Sequence, residues 1–209
     1  MKKLLALLNK CVRYSCRYLR SLSNEHIKYI LSNNKINIIV GAGYTRYKGW
    51  LSTDRKMLDV TKIEDFERLF HTRKINKILA EHVLEHLNNK DLKLMAANFF
   101  RYSSEDVNIR IAVPDGFHKD IKYIEAVKPF GTGEGSDDHK HLFNYRTLPK
   151  VFEEAGFKSN LIEHWDENNV LHSFYKNDEK GYITRSLLND KRNKDGNPNY
   201  TSLIIDFTK

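Results

Sequence analysis

The sequence has few cysteines and no long hydrophobic run. Its 209 residues include only Cys11 and Cys16, which on one helix would lie about 7–8 Å apart along the axis, too far for an unstrained disulfide. A disulfide framework is therefore excluded, and a reducing compartment is expected. No stretch approaches the ~18 apolar residues of a membrane span. The short apolar stretch after Met1 is followed by no small-residue cleavage site of a secretory signal. We therefore predict a cytoplasmic protein.

Acidic residues are absent from residues 1–24, which contain six Lys and Arg residues. The whole chain has a formal net charge of +8, so this segment supplies most of the excess and the remainder mixes both signs. A nucleic-acid-binding domain would instead carry a basic face on its globular part. We therefore predict no nucleic-acid partner.

Residues 1–34 are predicted to form a basic helical appendage, and residues 35–209 a single domain. Residues 3–22 place apolar side chains on one face of an amphipathic helix, and Asn24–Leu31 is predicted as a second helix. Two hypotheses remain for the first helix. It docks on the domain or a partner subunit, or it rests on an anionic membrane surface as a peripheral contact at the inner face. The pattern predicts no oligomeric state.

Strands and helices alternate along the predicted domain. Strands are predicted at Ile36–Val40, Gly49–Thr53, Ile75–Ala80, Asn108–Val113, Lys158–Trp165 and Leu203–Phe207, with a short strand or extended piece at Met57–Val60. Helices are predicted at Ile63–Phe70, Asp91–Arg101, Lys119–Val127 and Asn144–Ala155. This alternation predicts an α/β fold with a doubly wound, mostly parallel sheet and right-handed crossovers. Ligands of such sheets bind at the carboxyl ends of the strands.

Residues at the ends of the first strands suit an adenosine ligand. Gly41 and Gly43 follow the first strand and allow the backbone to approach a ligand closely. Asp54 ends the second strand, where a carboxylate can accept hydrogen bonds from a ribose diol. Asp59 ends the next apolar pair and could accept from the adenine amine. The third glycine of a dinucleotide fingerprint is missing, because position 46 is Arg, and this favours S-adenosylmethionine, which has no phosphate.

Glu81 and His82 follow the next long strand and begin a second informative segment. His82, Glu85 and His86 match a zinc-peptidase pattern in which two histidines one helical turn apart bind the metal and the glutamate acts as a base. The motif directly follows a strand, so His82 should fall in the turn and not within a helix. Residues 137–141, with two aspartates and two histidines, are the remaining source of a third ligand.

Together these motifs resemble those of class I S-adenosylmethionine-dependent methyltransferases, and more narrowly the small predicted methyltransferases associated with surface-polysaccharide clusters. The matching segments are Val40–Gly43, Gly49–Asp54, Leu58–Val60, Ala80–Leu87, Arg110–His118, Asp138–Lys140 and Glu154–Phe157. The resemblance covers residues 35–209 and implies a Rossmann-like, seven-stranded sheet whose last strand runs antiparallel. It implies S-adenosyl-L-methionine as the cofactor, contacted by Gly41, Gly43, Asp54, Asp59, Glu81 and His82.

The sequence departs from the family pattern at two places. The acid that commonly precedes the first glycine is replaced by Val40, and only ten residues separate Gly43 from Asp54. That spacing is too short for the usual helix between the first two strands. Related small proteins often share the shortening, which leaves the methionine end of the cofactor less enclosed.

The resemblance implies methyl transfer, expected at oxygen, to a small-molecule or saccharide acceptor in polysaccharide biosynthesis. A hydroxyl acceptor loses a proton, for which histidine or a carboxylate is suited, and the candidate bases are His86, Asp115, His118 and His139. This interpretation assigns no metal. Two alternatives stay open. One is a non-catalytic protein that binds the adenosyl cofactor or acts as a scaffold in glycan assembly, and the other is a zinc hydrolase using His82, Glu85 and His86.

Overall fold

The computed structural model describes residues 24–209. The helices are α1 (Asn24–Ser32), α2 (Ile63–Phe70), α3 (Asn89–Tyr102), α4 (Ile121–Val127) and α5 (Leu148–Glu153). The strands are β1 (Ile36–Val40), β2 (Leu51–Ser52), β3 (Ile75–Glu81), β4 (Ser103–Pro114), β5 (Lys158–Trp165), β6 (Leu171–Ser173) and β7 (Ser202–Thr208). Within this part of the chain, no helix is long and apolar enough to cross a membrane. The amphipathic helix predicted at residues 3–22, with its two hypotheses, lies outside the described residues.

The seven strands form one mixed sheet in the order β2-β1-β3-β4-β7-β5-β6. β1 pairs in parallel with β2 and β3, and β3 pairs in parallel with β4. β7 inserts between β4 and β5 and runs antiparallel to both, while β6 adds an antiparallel edge to β5. This arrangement confirms the predicted α/β fold with a mostly parallel, seven-stranded sheet. The last strand of the chain, β7, runs antiparallel to its neighbours, as predicted.

Three predicted elements differ from the structure by four residues or more, and one strand is not predicted. β4 begins at Ser103 and not at Asn108. No strand forms at Met57–Val60, where the chain turns after β2. The last of the five helices begins at Leu148 and not at Asn144, because the Asn144 side chain accepts hydrogen bonds from the next backbone N–H groups and closes a turn there. The unpredicted strand is β6, a three-residue edge strand, too short to show an alternating pattern.

One face of the sheet is covered by helices and forms the main hydrophobic core. The inward side chains of β1 and β4 alternate in the two-residue period of a strand, and they face fully buried side chains of α2, α3 and α5. The helical contributors are Phe66, Leu69, Met95, Phe99, Leu148 and Phe152. α1 joins this face through buried Ile30, and Asn37 N donates to the Tyr29 hydroxyl (3.1 Å). The boundary between an appendage and a domain at residue 34 stays a prediction.

The opposite face is covered by an irregular segment, residues 174–201, which we call the strap. Its apolar contact with the sheet is small and centres on Tyr175 and Ile183. Polar side chains of the sheet make most of the remaining contacts. Arg110, with 2% exposure, donates to Asp178 Oδ1 and to the carbonyl oxygen of Gly181, both at 2.8 Å. The strap therefore lies on the sheet through buried polar groups, and it continues over the carboxyl ends of β1 and β3.

Candidate functional site

The turn after β1 requires glycine. Gly41 and Gly43 have φ angles of +60° and +50°, in the left-handed region that residues with a Cβ seldom adopt. A Cβ added at Gly41 would lie 2.5 Å from Val83 Cγ2, whereas one added at Gly43 would meet no atom within 4 Å. The first glycine therefore permits a close packing contact. The second leaves open space on the solvent side of the turn.

The same turn is fixed to the end of β2 by backbone hydrogen bonds. Ala42 N donates to Thr53 O, and Thr53 N donates to Ile39 O, both at 2.8 Å. These bonds place Asp54, the next residue, directly beside the glycine turn. Its Oδ1 accepts from the backbone N–H groups two and three residues further on, at 2.9 and 3.1 Å. The exposed carboxylate is thereby held in one orientation at the edge of the sheet.

Asp59, the second predicted adenosine acceptor, is engaged by its own neighbours. Its Oδ1 accepts from Thr61 N (3.1 Å) and Thr61 Oγ1 (2.7 Å), and Lys62 Nζ lies 3.5 Å from Oδ2. Burial raises the pKa of this carboxyl, but the Thr61 hydrogen bonds and the Lys62 charge outweigh it and hold the pKa below its ordinary value. The geometry ties Asp59 to the entry of α2, and its role toward adenine stays a prediction.

Glu81 is the last residue of β3 and His82 follows it, on the strap side of the sheet. Glu81 accepts from Arg185 N at 2.8 Å and from Thr184 N at 3.1 Å, so both carboxylate oxygens hold the backbone of the strap. His82 has a φ of 54°, and its Nε2 lies 3.1 Å from Ser202 Oγ. Burial lowers the pKa of His82 well below its usual value. As predicted, His82 lies in the turn that follows the strand.

A cavity of about 970 Å³ opens at this edge of the sheet. It is bounded by the turn after β1, the residues after β3, the loop of residues 133–139 and the strap. Five predicted site residues line it: Gly41, Glu81, His82, His86 and His139. Gly43, Asp54, Asp59, Asp115 and His118 do not. Gly43 lies on the turn after β1, Asp54 follows β2 beside that turn, and the other three are held elsewhere.

Two of the four predicted bases are buried away from the cavity. Asp115 has 0% exposure and accepts from Trp165 N (2.7 Å) and Phe117 N (3.0 Å). Burial raises its pKa to about 7. The His118 ring stacks on Tyr123 at 3.9 Å, and burial lowers its pKa to about 4. Asp115 joins the ends of β4 and β5 and His118 packs against them. Both residues lie outside the cavity, and a role as the base stays a prediction for either of them.

The other two predicted bases surround Glu85 in the cavity wall. Glu85 has 0% exposure, and within residues 24–209 neither of its carboxylate oxygens has a hydrogen-bond partner. His82 Nδ1 lies 3.4 Å and His139 Nε2 4.0 Å from Oε1. The rings of His86 and His139 meet edge to face with centroids 4.8 Å apart. Burial raises the pKa of Glu85 to about 8 and lowers that of His86.

The zinc-peptidase geometry is not formed. That pattern needs both histidines on one face of a continuous helix, whereas residues Leu84–His86 make a single 3₁₀ turn. Of the three pattern residues, only Glu85 and His86 belong to the turn, and His82 precedes it. Glu85 and His86 instead meet His139, which belongs to residues 137–141, the segment considered above as the source of a third ligand.

The strap contributes the part of the cavity that sequence reasoning missed. Tyr182, Thr184, Arg185 and Tyr200 line the cavity opposite the predicted residues. They belong to a polar stretch that has neither alternation nor helical periodicity, so the sequence contains no signal for them. Their position follows from contacts with β3, β4 and β7, which are far away along the chain.

The comparisons with known proteins give likenesses of structure alone. No family model and no curated protein matches the sequence. A SAM-dependent methyltransferase from Archaeoglobus fulgidus is similar at 14% identity, over 92% of each chain, with a TM-score of 0.46. LepI in complex with SAM is similar at 8% identity, over 89% of this chain and 40% of that chain, with a TM-score of 0.46. A LepI variant in complex with SAH and a substrate analogue is similar at 8% identity, over 96% and 40%, also at 0.46. Likenesses with a TM-score of 0.46 do not establish a function for this chain.

Proposed function

We propose that the chain is a class I S-adenosylmethionine-dependent methyltransferase. The observation that carries the proposal is the placement of the turn after β1. Backbone hydrogen bonds hold this turn against the end of β2, so that Asp54 stands on one side of it and Glu81 on the other. The strands β2, β1 and β3 are neighbours, and the residues that follow β1 and β3 line the cavity. A ribose at Asp54 would place the methionine part of the cofactor toward that cavity.

Arg46 supports a ligand without a pyrophosphate. A dinucleotide site has its third glycine in this position, where the start of a helix receives the phosphates. Here the Arg46 guanidinium donates to the carbonyl oxygens of Gly43 (2.9 Å) and Thr45 (2.7 Å). The turn is therefore closed on itself by its own side chain. No helix follows it before β2.

The acceptor is proposed to be a small polar molecule or a saccharide hydroxyl bound in the same cavity. Methyl transfer is an in-line displacement at the sulfonium methyl, so the main task of the protein is to position the acceptor. A hydroxyl acceptor also loses a proton. Among the predicted bases, His86 and His139 line the cavity. Burial keeps the pKa of His86 below its ordinary value, so that its ring is neutral at pH 7 and able to accept a proton.

Calorimetric titration with S-adenosylmethionine and S-adenosylhomocysteine tests the cofactor assignment. We expect one site per chain with a Kd on the order of 10 µM. Asp54→Asn keeps an oxygen that can close the local turn but removes the charge, which strengthens hydrogen bonds to a diol about twofold in energy. We expect this variant to bind at least about tenfold more weakly. The matched control is Glu64→Gln, an exposed acid in the first turn of α2, which should leave binding unchanged.

Absence of binding by the unaltered chain would contradict the cofactor assignment. An equal loss of affinity in Asp54→Asn and Glu64→Gln would contradict the role given to Asp54. Binding without methyl transfer to any offered hydroxyl acceptor would favour the non-catalytic alternative. Incubation with methyl-labelled cofactor and a panel of saccharides and small alcohols separates these two outcomes.

A further inference from the structure

Glu85, His86 and His139 form a cluster of side chains that can bind a metal ion, which an adenosyl cofactor does not require. Glu85, His86 and His139 each offer one donor atom, and the three atoms lie within 4.8 Å of one another. Glu85 comes from the 3₁₀ turn after β3, whereas His139 follows a second 3₁₀ turn at residues 136–138. Their proximity is therefore a tertiary feature. We propose that these three residues bind a first-row divalent metal ion, with zinc as the representative ion, in the wall of the cavity.

The unpaired carboxylate of Glu85 is the first observation that points to a ligand. Its side chain is fully buried, and both oxygens lack a hydrogen-bond partner in the described part of the chain. Leaving a buried polar group unpaired costs about 1–3 kcal/mol, and more if the group is charged. Other buried acids of this protein, such as Asp115 and Glu163, accept hydrogen bonds from backbone N–H groups. A metal cation would supply the missing partner for both the charge and the oxygens.

The backbone holds the two halves of the cluster together. Lys140 N and His141 N both donate to the carbonyl oxygen of Glu85, at 2.6 and 3.2 Å. These bonds fix the loop that carries His139 against the turn that carries Glu85 and His86. Preorganised ligands of this kind are characteristic of metal sites on rigid scaffolds.

The groups behind the histidines match those found behind metal ligands. His139 Nδ1 lies 2.6 Å from the carbonyl oxygen of Val127. Because a carbonyl only accepts, Nδ1 carries the proton, and Nε2 presents its lone pair toward Glu85. His86 Nδ1 lies 3.5 Å from Asp138 Oδ2, a carboxylate placed to orient that ring. Metal-binding histidines generally have such a carbonyl or carboxylate partner on the other ring nitrogen.

The donor set and its surroundings indicate the class of metal. Two imidazoles and one carboxylate suit zinc and its neighbours, whereas magnesium and calcium prefer oxygen ligands throughout. Donor atoms around tetrahedral zinc lie about 3.4 Å apart, so binding requires a contraction of up to about 1.4 Å from the 4.8 Å spacing seen here. The His86 side chain is one-third exposed and can rotate. Three protein ligands leave the fourth position open toward the cavity, as in catalytic zinc sites.

A metal in this position would change the role of the two histidines. Their lone pairs would hold the ion and would no longer accept a proton. The ion would lower the pKa of a hydroxyl or water bound at its open position. This consequence for an acceptor hydroxyl rests on the proposed methyl transfer, whereas the binding of the metal does not.

Titration of the chelator-treated full chain, purified without a polyhistidine tag, tests the site. Zn²⁺ is added in competition with a chromophoric chelator, and Co²⁺ is added separately so that its visible spectrum reports the ligands. We expect one equivalent of Zn²⁺ with a Kd at or below about 1 µM. Tetrahedral Co²⁺ bands should also appear. Glu85→Gln, His139→Gln and His86→Gln should each weaken Zn²⁺ binding by at least about 100-fold, more than the loss of an outer partner.

Two control variants match these substitutions elsewhere. Glu134→Gln changes an exposed acid at the rim of the cavity, and His172→Gln changes a histidine on the edge strand β6. Both should bind Zn²⁺ within about twofold of the unaltered chain. His86→Gln guards against misfolding, because its side chain is partly exposed, and thermal unfolding of each variant verifies the fold.

Three results would overturn the metal site. The first is that the unaltered chain binds no Zn²⁺, the second that the three cluster variants bind Zn²⁺ as tightly as the unaltered chain, and the third that the two control variants lose as much affinity as the cluster variants. S-adenosylhomocysteine is titrated into the same samples. Zn²⁺ binding without cofactor binding would contradict the proposed function alone, and cofactor binding without Zn²⁺ would contradict the metal site alone.

Discussion

The two faces of the sheet are stabilised by different interactions. On the helical face, β1, β3 and β4 present alternating apolar side chains to α2, α3 and α5, and the contact is continuous. On the strap face the apolar contact is small, and buried charged groups hold an irregular segment. The comparison shows that the face which lines the cavity is the one that depends on buried polar contacts. Its stability and the shape of the site are therefore coupled.

Arg110 is the centre of the strap face. Its guanidinium donates to Asp206 Oδ1 (2.8 Å) and Oδ2 (2.9 Å), and also to Asp178 Oδ1 (2.8 Å). Arg110 and Asp206 are each 2% exposed. The hydrogen bonds and charges of the two aspartates outweigh burial and raise the pKa of Arg110, while the pKa of Asp178 is lowered by Arg110 despite its own burial. Removing one member of a buried, fully paired cluster strongly destabilises the fold, because it leaves a buried charge without its compensating partner.

The largest expected effect comes from Arg110→Met. Removing the guanidinium leaves buried Asp206 without the two hydrogen bonds from Arg110 and with only Lys180 Nζ, 3.5 Å from Oδ2, as a cationic partner. We expect the free energy of unfolding to fall by about 3 kcal/mol. Cofactor affinity should fall as well, because the strap forms one wall of the cavity. Urea unfolding measures the first quantity, and calorimetry under conditions where the variant stays folded measures the second.

Met95→Ala is the matched change on the helical face, where Met95 is fully buried. It should cost about 2–5 kcal/mol through the cavity it creates but leave the cofactor affinity of the folded protein unchanged. If both variants lost the same affinity, or if Arg110→Met lost none, the coupling between the strap and the site would be wrong.

A smaller effect is expected at Glu163, which also holds the strap. Its oxygens accept from Leu187 N and Ser173 Oγ, both at 2.8 Å. Burial, only partly opposed by these bonds, raises its pKa from 4.5 to about 7. A raised carboxyl pKa contributes stability that is fully present below pH 4.5 and is lost as the pH rises through 7. In Glu163→Gln the amide oxygen can still accept from Leu187 N, the amide NH2 can donate to Ser173 Oγ, and the side chain cannot ionise.

We therefore expect Glu163→Gln to gain stability relative to the unaltered chain as the pH rises from 4.5 to 8, by about 3 kcal/mol. Unfolding curves collected across that range measure the difference. Parallel pH profiles for the two proteins would show that Glu163 does not titrate in this window.

The helical face and most of the strands were accessible from the sequence, because local periodicity encodes them, whereas the order of the strands in the sheet was not predicted. The segments Ile36–Val40 and Ile63–Phe70 were predicted with the bounds that the structure has. The antiparallel last strand came from the family resemblance and is confirmed. Prediction failed at Met57–Val60, where apolar residues suggested a strand. The side chain of Asp54 instead closes a turn at that point, and a hydrogen bond of this kind overrides a short apolar pattern.

The candidate site was accessible only where it follows strand ends. Gly41, Glu81 and His82 could be placed because the carboxyl ends of parallel strands meet at one edge. Asp115 and His118 also follow a strand end, that of β4, but their side chains are buried against Trp165 and Tyr123. The strap and the meeting of Glu85 with His139 depend on contacts between distant parts of the chain, which a single sequence does not encode locally.

Hydrogen–deuterium exchange with and without S-adenosylhomocysteine tests most directly the claim that the turn after β1 and the strap form one ligand site. The account predicts slower exchange in residues 41–45, 54–57 and 182–186 when the ligand is present, with no change in α3. Unchanged exchange in the turn and the strap, or protection confined to another part of the molecule, would contradict it.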